Sequence, residues 1–171
     1  MTLSSLGPLR SVANAGSIGP LENNWAWGLS LITLTVAVHA TGLASMALAL
    51  LSIRFRMAIQ SRPRLYHHLM ILIVLITAVG LLLAVLHGIE AGLWAVAYWW
   101  LSAFESPSEA ILYSVDSMST RGASGLMLEH QWRMMGALEA TDGMLLFGIS
   151  TAFIFAVMQG YWLNMTQQLR H

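Results

Sequence analysis

Hydrophobic residues lie in three long runs along the chain, separated by shorter polar stretches. The runs 29–53, 69–86 and 144–158 contain no Asp, Glu, Lys or Arg. A helix needs roughly 20 predominantly apolar residues to cross the ~30 Å hydrocarbon core of a bilayer. The first two runs approach or exceed this length, and the third reaches it with its flanks. The pattern therefore predicts an all-α membrane protein with three transmembrane helices.

The same pattern divides the chain into a tail and two membrane units. Residues 1–24 are rich in Gly, Pro and Ser without a continuous apolar run, so we expect a flexible N-terminal tail. Residues 25–64 are predicted to form a transmembrane helix and a basic loop, and residues 65–171 a second unit. The second unit is predicted to contain an outer helix 65–104, a short helix 107–119, a loop 120–125 and an inner helix 136–163.

The short helix has a strong start signal. Ser106-Pro107-Ser108-Glu109 is a capping box with Pro at the first helical position. A helix from Pro107 to about Ser119 would be roughly 20 Å long, which is too short to cross a bilayer. Because a Gly/Ser-rich loop follows it, the stretch predicts a re-entrant pore helix with a filter-like loop.

Composition supports a membrane protein and excludes several other classes. The chain is 57% hydrophobic and 9% charged, with a mean hydropathy of +0.66, whereas a soluble domain carries about 25% charged residues. Its net charge is zero, so we expect no nucleic-acid partner. The absence of Cys excludes disulfides and thiolate metal sites.

The arginines predict the orientation in the membrane. Between the first two hydrophobic runs lie four of them, Arg54, Arg56, Arg62 and Arg64. Arg170 lies near the C-terminal end of the sequence. With three spans both arginine-bearing segments are on one side, which the positive-inside rule makes cytoplasmic. The N-terminus and the loop 120–125 are then expected outside.

Several stretches of the second unit carry a family resemblance. They are the outer segment HGIE…WAVAYWW, the short helix SEAILYSVDSMST, the stretch WRMMGALEATDGMLLFG and the apolar helix after it. From about Leu65 to Trp162 the chain resembles the two-transmembrane pore-loop module of the potassium channel superfamily, as in small bacterial members. The resemblance implies a homotetramer in the bacterial inner (cytoplasmic) membrane. It also implies a monovalent cation as the conducted species, the lipid bilayer as partner and no cofactor.

The filter is where the chain departs from this family, whose pattern is T-V-G-Y-G, usually followed by Asp. The corresponding positions are Thr120, Arg121, Gly122, Ala123, Ser124 and Gly125. Only Thr120 and Gly122 match. Ala123 replaces the aromatic, and Ser124 replaces a Gly whose positive φ a Ser adopts only with strain. The resemblance therefore implies a channel-like pore with altered or lost potassium selectivity.

Arg121 raises an electrostatic question. Two like charges ~6 Å apart repel by about 3 kcal/mol at an effective dielectric near 20, so four free Arg121 side chains near a pore axis would oppose cations. Asp116 lies five residues earlier, where similar channels place an acid behind the filter. One hypothesis is an Asp116–Arg121 ion pair that holds the loop, with Asp116 and Ser119 as filter support. The other is that Arg121 reaches out to water at the pore mouth.

Three further acids are candidates for an acidic outer vestibule that attracts cations, namely Glu129, Glu139 and Asp142. A solvated rim with helix-end charge compensation is the alternative interpretation.

His87 and Glu90 share one helix face, and with His39 they could bind a metal or relay a proton. Two ligands on one helix are too few for a metal site, so we predict structural hydrogen bonds and no metal. His39 is likewise predicted to be hydrogen-bonded in a helix interface.

The sequence leaves three functions open. No H-E-x-x-H, P-loop or G-x-S-x-G pattern is present, so we predict neither catalytic residues nor an enzyme. The first function is ion transport by a channel-like pore. The second is a non-conducting pseudo-channel that serves as an accessory or scaffold subunit. The third, less favoured, is a small proton-coupled transporter.

Overall fold

The computed structural model describes residues 18–57 and 65–168. Within these ranges the chain is all-helical, and its elements are α1 (Ile18–Met57), α2 (Leu65–Trp100), α3 (Pro107–Met118), a 3₁₀ turn (His130–Trp132) and α4 (Arg133–Gln168). Segments of α1, α2 and α4 are long and apolar enough to cross a membrane, namely Asn24–Ser52, Leu69–Trp100 and His130–Leu163. The predicted all-α chain with three candidate spans is therefore confirmed.

Part of the predicted organisation lies outside the described residues. This applies to positions 1–17 of the tail and to Arg62, Arg64 and Arg170. The helix α1 begins at Ile18, so residues 18–24 belong to it rather than to a flexible tail. The helix α4 likewise begins before residue 136 and extends beyond residue 163.

The helix α2 ends at Trp100, short of the predicted residue 104, because the chain turns sharply there. Ser102 has a φ of +54°. The N–H of Ala103 donates to Tyr98 O at 2.9 Å, and that of Ser102 donates to Trp99 O at 3.0 Å. This pair of bonds is a Schellman motif, in which a left-handed residue terminates a helix. Ser fills a position that usually takes Gly, which explains why the sequence pattern did not indicate the end.

The start of α3 agrees with its capping signal. Ser106 has extended backbone angles, and its Oγ accepts a hydrogen bond from Ser108 N–H at 3.3 Å. Pro107 occupies the first helical position. With 12 residues, α3 is about 18 Å long at 1.5 Å per residue. It is the one helix among the described residues that is too short to cross a membrane.

The helix α3 packs against both α2 and α4, and glycines of α4 let it approach that helix closely. A Cβ on Gly143 would collide with the backbone of Met118 at the end of α3, and one on Gly136 would collide with the Tyr113 hydroxyl. Gly143 therefore marks a close contact between α4 and the end of α3, of the kind that small residues allow between membrane helices. Around Gly148, by contrast, no described atom lies within 4 Å of an added Cβ.

The aromatic residues at the end of α2 do not all lie at the surface. Trp94 and Tyr98 have no exposed surface, whereas Trp99 and Trp100 are 52% and 71% exposed. The first two are therefore not membrane-interface residues. They lie in the core of the helix bundle, together with Leu31, Met135 and Leu146.

Candidate functional site

The loop after α3 is fastened to a single carboxylate, that of Asp116. Arg121 Nε donates to Asp116 Oδ1 at 2.6 Å, and the N–H of Ser124 donates to Asp116 Oδ2 at 2.9 Å. The N–H of Arg121 also donates to Asp116 O at 3.1 Å. Asp116 thus forms the ion pair that the spacing predicts, and it holds the loop at both ends.

The two members of this ion pair differ in exposure. The Asp116 side chain is 4% exposed and the Arg121 side chain is 61% exposed. The Arg121 guanidinium and the Ser124 N–H hold the pKa of Asp116 well below its usual range. Asp116 is therefore an anion beneath the loop, while Arg121 pairs through Nε and the rest of its guanidinium is exposed in the single subunit. Whether that exposed part faces water at a pore mouth stays a prediction.

The backbone of the loop differs from the prediction at one position. Residues with positive φ are Thr120 (55°), Gly122 (61°) and Gly125 (73°), but not Ser124. The strain expected at Ser124 is absent because its N–H points to Asp116, and the left-handed conformation falls on the next residue, a Gly. A non-Gly left-handed residue does occur in the loop, at Thr120.

Ser119, the second predicted support residue, ends α3. Its N–H donates to Val115 O at 3.1 Å, and its Oγ donates to Asp116 O at 3.1 Å. These bonds satisfy carbonyl groups that the helix end would otherwise leave unpaired. Ser119 therefore contacts the backbone of Asp116 rather than its carboxylate.

A cavity of about 560 Å³ lies beneath the loop, between α3 and the first turns of α4. Its polar lining includes Asp116, Thr120 and Arg133, and its apolar lining includes Leu128 and Ala140. Thr120 and Arg133 are exposed at its rim. The loop thus covers an open, mixed-polarity space in the single subunit.

The predicted acidic vestibule is wrong for two of its three members. Glu129 is exposed and accepts a hydrogen bond from Gln131 Nε2 at 2.8 Å. Glu139 and Asp142, however, are 0% and 1% exposed. They lie on the face of α4 that packs into the bundle, so they are neither a vestibule nor a solvated rim.

Hydrogen bonds from the other helices explain why these two acids are buried. Glu139 accepts from Tyr98 Oη at 2.9 Å and from the Ser114 hydroxyl. Asp142 Oδ2 accepts from Thr35 Oγ1 at 2.7 Å and from Trp94 Nε1 at 3.0 Å. Buried polar groups are tolerated when they are hydrogen-bonded in this way.

A second polar cluster joins α1 to α2 and α4. His39 Nδ1 lies 2.8 Å from Glu90 Oε1, and His39 Nε2 lies 3.1 Å from Ser150 Oγ. His87 Nδ1 donates to Leu83 O at 2.8 Å. His39 and Glu90 are both fully buried. The prediction of a hydrogen-bonded histidine in a helix interface is confirmed for His39.

The sequence interpretation missed four members of these clusters, namely Thr35, Trp94, Tyr98 and Ser150. With the residues that it did name, they form stripes at helical spacing: Thr35 and His39 on α1; His87, Glu90, Trp94 and Tyr98 on α2; Glu139, Asp142 and Ser150 on α4. Residues three or four apart share one face of a helix. Aligning these polar stripes would have indicated a buried network instead of an acidic vestibule and separate hydrogen bonds.

Comparisons with known protein families, curated proteins and solved structures found no match to this chain.

Proposed function

We propose that this protein is a potassium-channel-like, pore-forming membrane protein that conducts ions with altered or lost potassium selectivity. In this proposal four copies surround a pore, and the loop 120–125 of each copy faces its axis. The observation that carries it is the pair of features after α2: a 12-residue helix too short to span, and a loop fastened to its last turn by Asp116.

The Asp116–Arg121 ion pair makes a conducting pore compatible with the loop sequence. Four free arginines near an axis would repel cations and one another, by about 3 kcal/mol per pair at ~6 Å. Each Arg121 instead lies 2.6 Å from a carboxylate, so each loop contributes no net charge. The negative C-terminal ends of four copies of α3 would then still favour a cation near the axis.

The loop supports altered selectivity rather than a potassium filter. Ala123 provides no aromatic ring to brace the loop, and the Ser124 N–H is already bonded to Asp116. Positive φ angles occur at Gly122 and Gly125 rather than at two glycines with one residue between them. A ladder of evenly spaced carbonyl oxygens, on which potassium coordination depends, is not expected from this pattern.

The open face of α4 is suited to contact with other copies. Gly148, Thr151 and Ala152 are exposed in the single subunit, and an added Cβ at Gly148 meets no described atom within 4 Å. Small residues on a membrane helix allow close approach of a second helix. We therefore place α4 as the inner helix of the assembly, as the resemblance to pore-loop channels implies.

One observation favours the second candidate, a non-conducting pseudo-channel that acts as an accessory or scaffold subunit. The Arg121 side chain is 61% exposed, so its guanidinium is accessible from the loop surface despite the pair with Asp116. Four such groups would form a basic ring that could close the pore to cations.

Flux measurements on the full chain in proteoliposomes separate the two functions. Conduction predicts K⁺ and Na⁺ flux of similar size, which the matched control Glu109→Gln, an exposed acid on α3, leaves unchanged. No flux of cations or anions from the wild type would contradict it. If the triple variant Arg121→Val/Ala123→Tyr/Ser124→Gly then conducts K⁺, the wild type is a pseudo-channel.

A further inference from the structure

Three metal-ligating side chains converge inside the bundle, away from the loop. His39 of α1 and His87 and Glu90 of α2 each offer one ligand atom, and these atoms lie within 4.8 Å of one another. His39 and Glu90 are fully buried, and His87 is half-buried. The sequence analysis considered these three residues but predicted no metal, because it placed only His87 and Glu90 on one helix face; the structure brings His39 of α1 to the same point.

Both histidines have a partner that orients them toward a common ligand. His87 Nδ1 donates to Leu83 O at 2.8 Å, which leaves the lone pair on Nε2. His39 Nε2 lies 3.1 Å from Ser150 Oγ, and donation to that oxygen leaves the lone pair on Nδ1, beside Glu90. Metal-bound histidines are typically held in this way, with the second ring nitrogen donating to a neighbouring oxygen.

Two atoms of the cluster are buried and unpaired. His87 Nε2 and Glu90 Oε2 have no hydrogen-bond partner among the described residues. A buried polar atom of this kind requires an explanation, and a bound ion or water is one. The cost of leaving a carboxylate oxygen unpaired is larger still in a membrane span.

The buried acids of the bundle also favour a bound cation or protons as counter-charge. Glu90, Glu139 and Asp142 are buried acids within the bundle. Among the described residues, the only Arg in an ion pair is Arg121, which binds Asp116 in the loop instead. In a low-dielectric interior, an excess of carboxylates needs protons or a bound cation to offset it.

We propose that His39, His87 and Glu90 bind a divalent transition-metal ion of the Zn²⁺ class that links α1 to α2. Two imidazoles and one carboxylate are a ligand set of three-residue zinc sites, which leave the fourth position open. Mg²⁺ and Ca²⁺ prefer six or more oxygen ligands, so they do not suit this set. This site is independent of whether the protein conducts ions.

Metal binding by the purified full chain tests the site directly. The protein in detergent is stripped with a chelator, incubated with Zn²⁺ and desalted, and its bound zinc is measured by mass spectrometry. We expect about one Zn²⁺ per chain and a higher thermal unfolding midpoint with Zn²⁺, because the ion binds only the folded state. Mg²⁺ at the same concentration should bind and stabilise negligibly.

Two histidine variants form a matched pair. His87→Gln removes the ligand atom Nε2, which has no hydrogen-bond partner among the described residues, and otherwise loses only the bond from Nδ1 to Leu83 O of the same helix, so the variant should fold. His130→Gln changes an exposed histidine of the 3₁₀ turn. We expect His87→Gln to lose the bound Zn²⁺ and the Zn²⁺-induced shift in the midpoint, and His130→Gln to retain both.

The absorption spectrum of bound Co²⁺ reports metal coordination independently of the thermal unfolding midpoint. Co²⁺ held by two imidazoles and a carboxylate should give visible bands in the wild type and in His130→Gln, but not in His87→Gln. If His87→Gln does not fold, Glu90→Gln takes its place. The proposal is overturned if the wild type binds no zinc, which would leave protons as the neutralising species, or if His87→Gln binds as the wild type does.

Discussion

At the scale of single residues, Asp116 is the position on which the loop depends most. Its carboxylate accepts one hydrogen bond from Arg121 Nε and another from the backbone N–H of Ser124. These two donors lie on either side of Gly122 in the sequence. A carboxylate has enough acceptor sites for both donors, while an amide at the same position would present a donor to one of them. The ion pair and the conformation of the loop therefore depend on the same carboxylate.

A double-mutant cycle tests the coupling of Asp116 to Arg121. Asp116→Asn should lower the thermal midpoint, and the double variant Asp116→Asn/Arg121→Gln should lose less than the sum of the two single changes, because each single change leaves a partner behind. Glu109→Gln, at an exposed acid of the same helix, is the control and should change the midpoint little, because Gln also fits the last position of a capping box. Additive losses would show that the two residues do not interact.

The lowered pKa of Asp116 fixes how its contribution depends on pH. Because the folded-state pKa lies below the ordinary value of 3.8, the stabilisation is fully present above that value and is lost as the pH falls through the folded-state pKa. The midpoint difference between the wild type and Asp116→Asn should hence stay constant from neutral pH down to that ordinary value. A difference that shrinks already near neutral pH would contradict this.

The buried bond between Thr35 and Asp142 has a matched control on the same helix. Thr35 Oγ1 lies 2.7 Å from Asp142 Oδ2 in the core, whereas Thr33 is exposed and donates only to Leu29 O. Thr35→Val should destabilise the protein by about 0.6–2 kcal/mol, as for other hydrogen bonds within membranes. Thr33→Val should change the free energy of unfolding little. Both variants are compared with the wild type by denaturation in mixed micelles. Equal effects would exclude a specific role for the bond.

At the scale of helices, hydropathy and capping were enough to predict which elements form. The start of α3 at Pro107 was predictable because Ser106 caps the helix locally. The end of α2 was not, because Ser102 terminates it in a conformation that usually takes Gly. The burial of Asp142 was not predictable from α4 alone, since its donor Thr35 lies 107 residues away in sequence.

The close contact between α3 and α4 depends on the lack of a side chain at Gly143. Gly143→Ala would place a Cβ against the Met118 backbone, which cannot move without displacing the end of α3. We expect a loss of about 1–3 kcal/mol, as for other overpacked cores, and impaired loop function. Gly88→Ala, at an exposed site of α2 with nothing within 4 Å, should be neutral or stabilising. A neutral Gly143→Ala would contradict this packing.

At the scale of the whole molecule, contacts within one subunit account for the polar groups of its interior but not for the features of its outer surface. The acids of α4 accept hydrogen bonds inside the bundle from donors on the other helices, and only Asp142 Oδ1 is left without a donor among the described residues. The exposed loop at Gly122 and the exposed surface of α4 at Gly148 are open, since an added Cβ at either position meets no described atom within 4 Å. The proposal that copies assemble around α4, with the loops at the centre, accounts for both.

A density map of the purified full chain in a lipid nanodisc tests this account most directly. The account predicts four copies around an axis, with Thr120–Gly125 of each copy at the centre and each Arg121 still paired with Asp116. A monomer, or an assembly whose loops lie at its periphery, would contradict it.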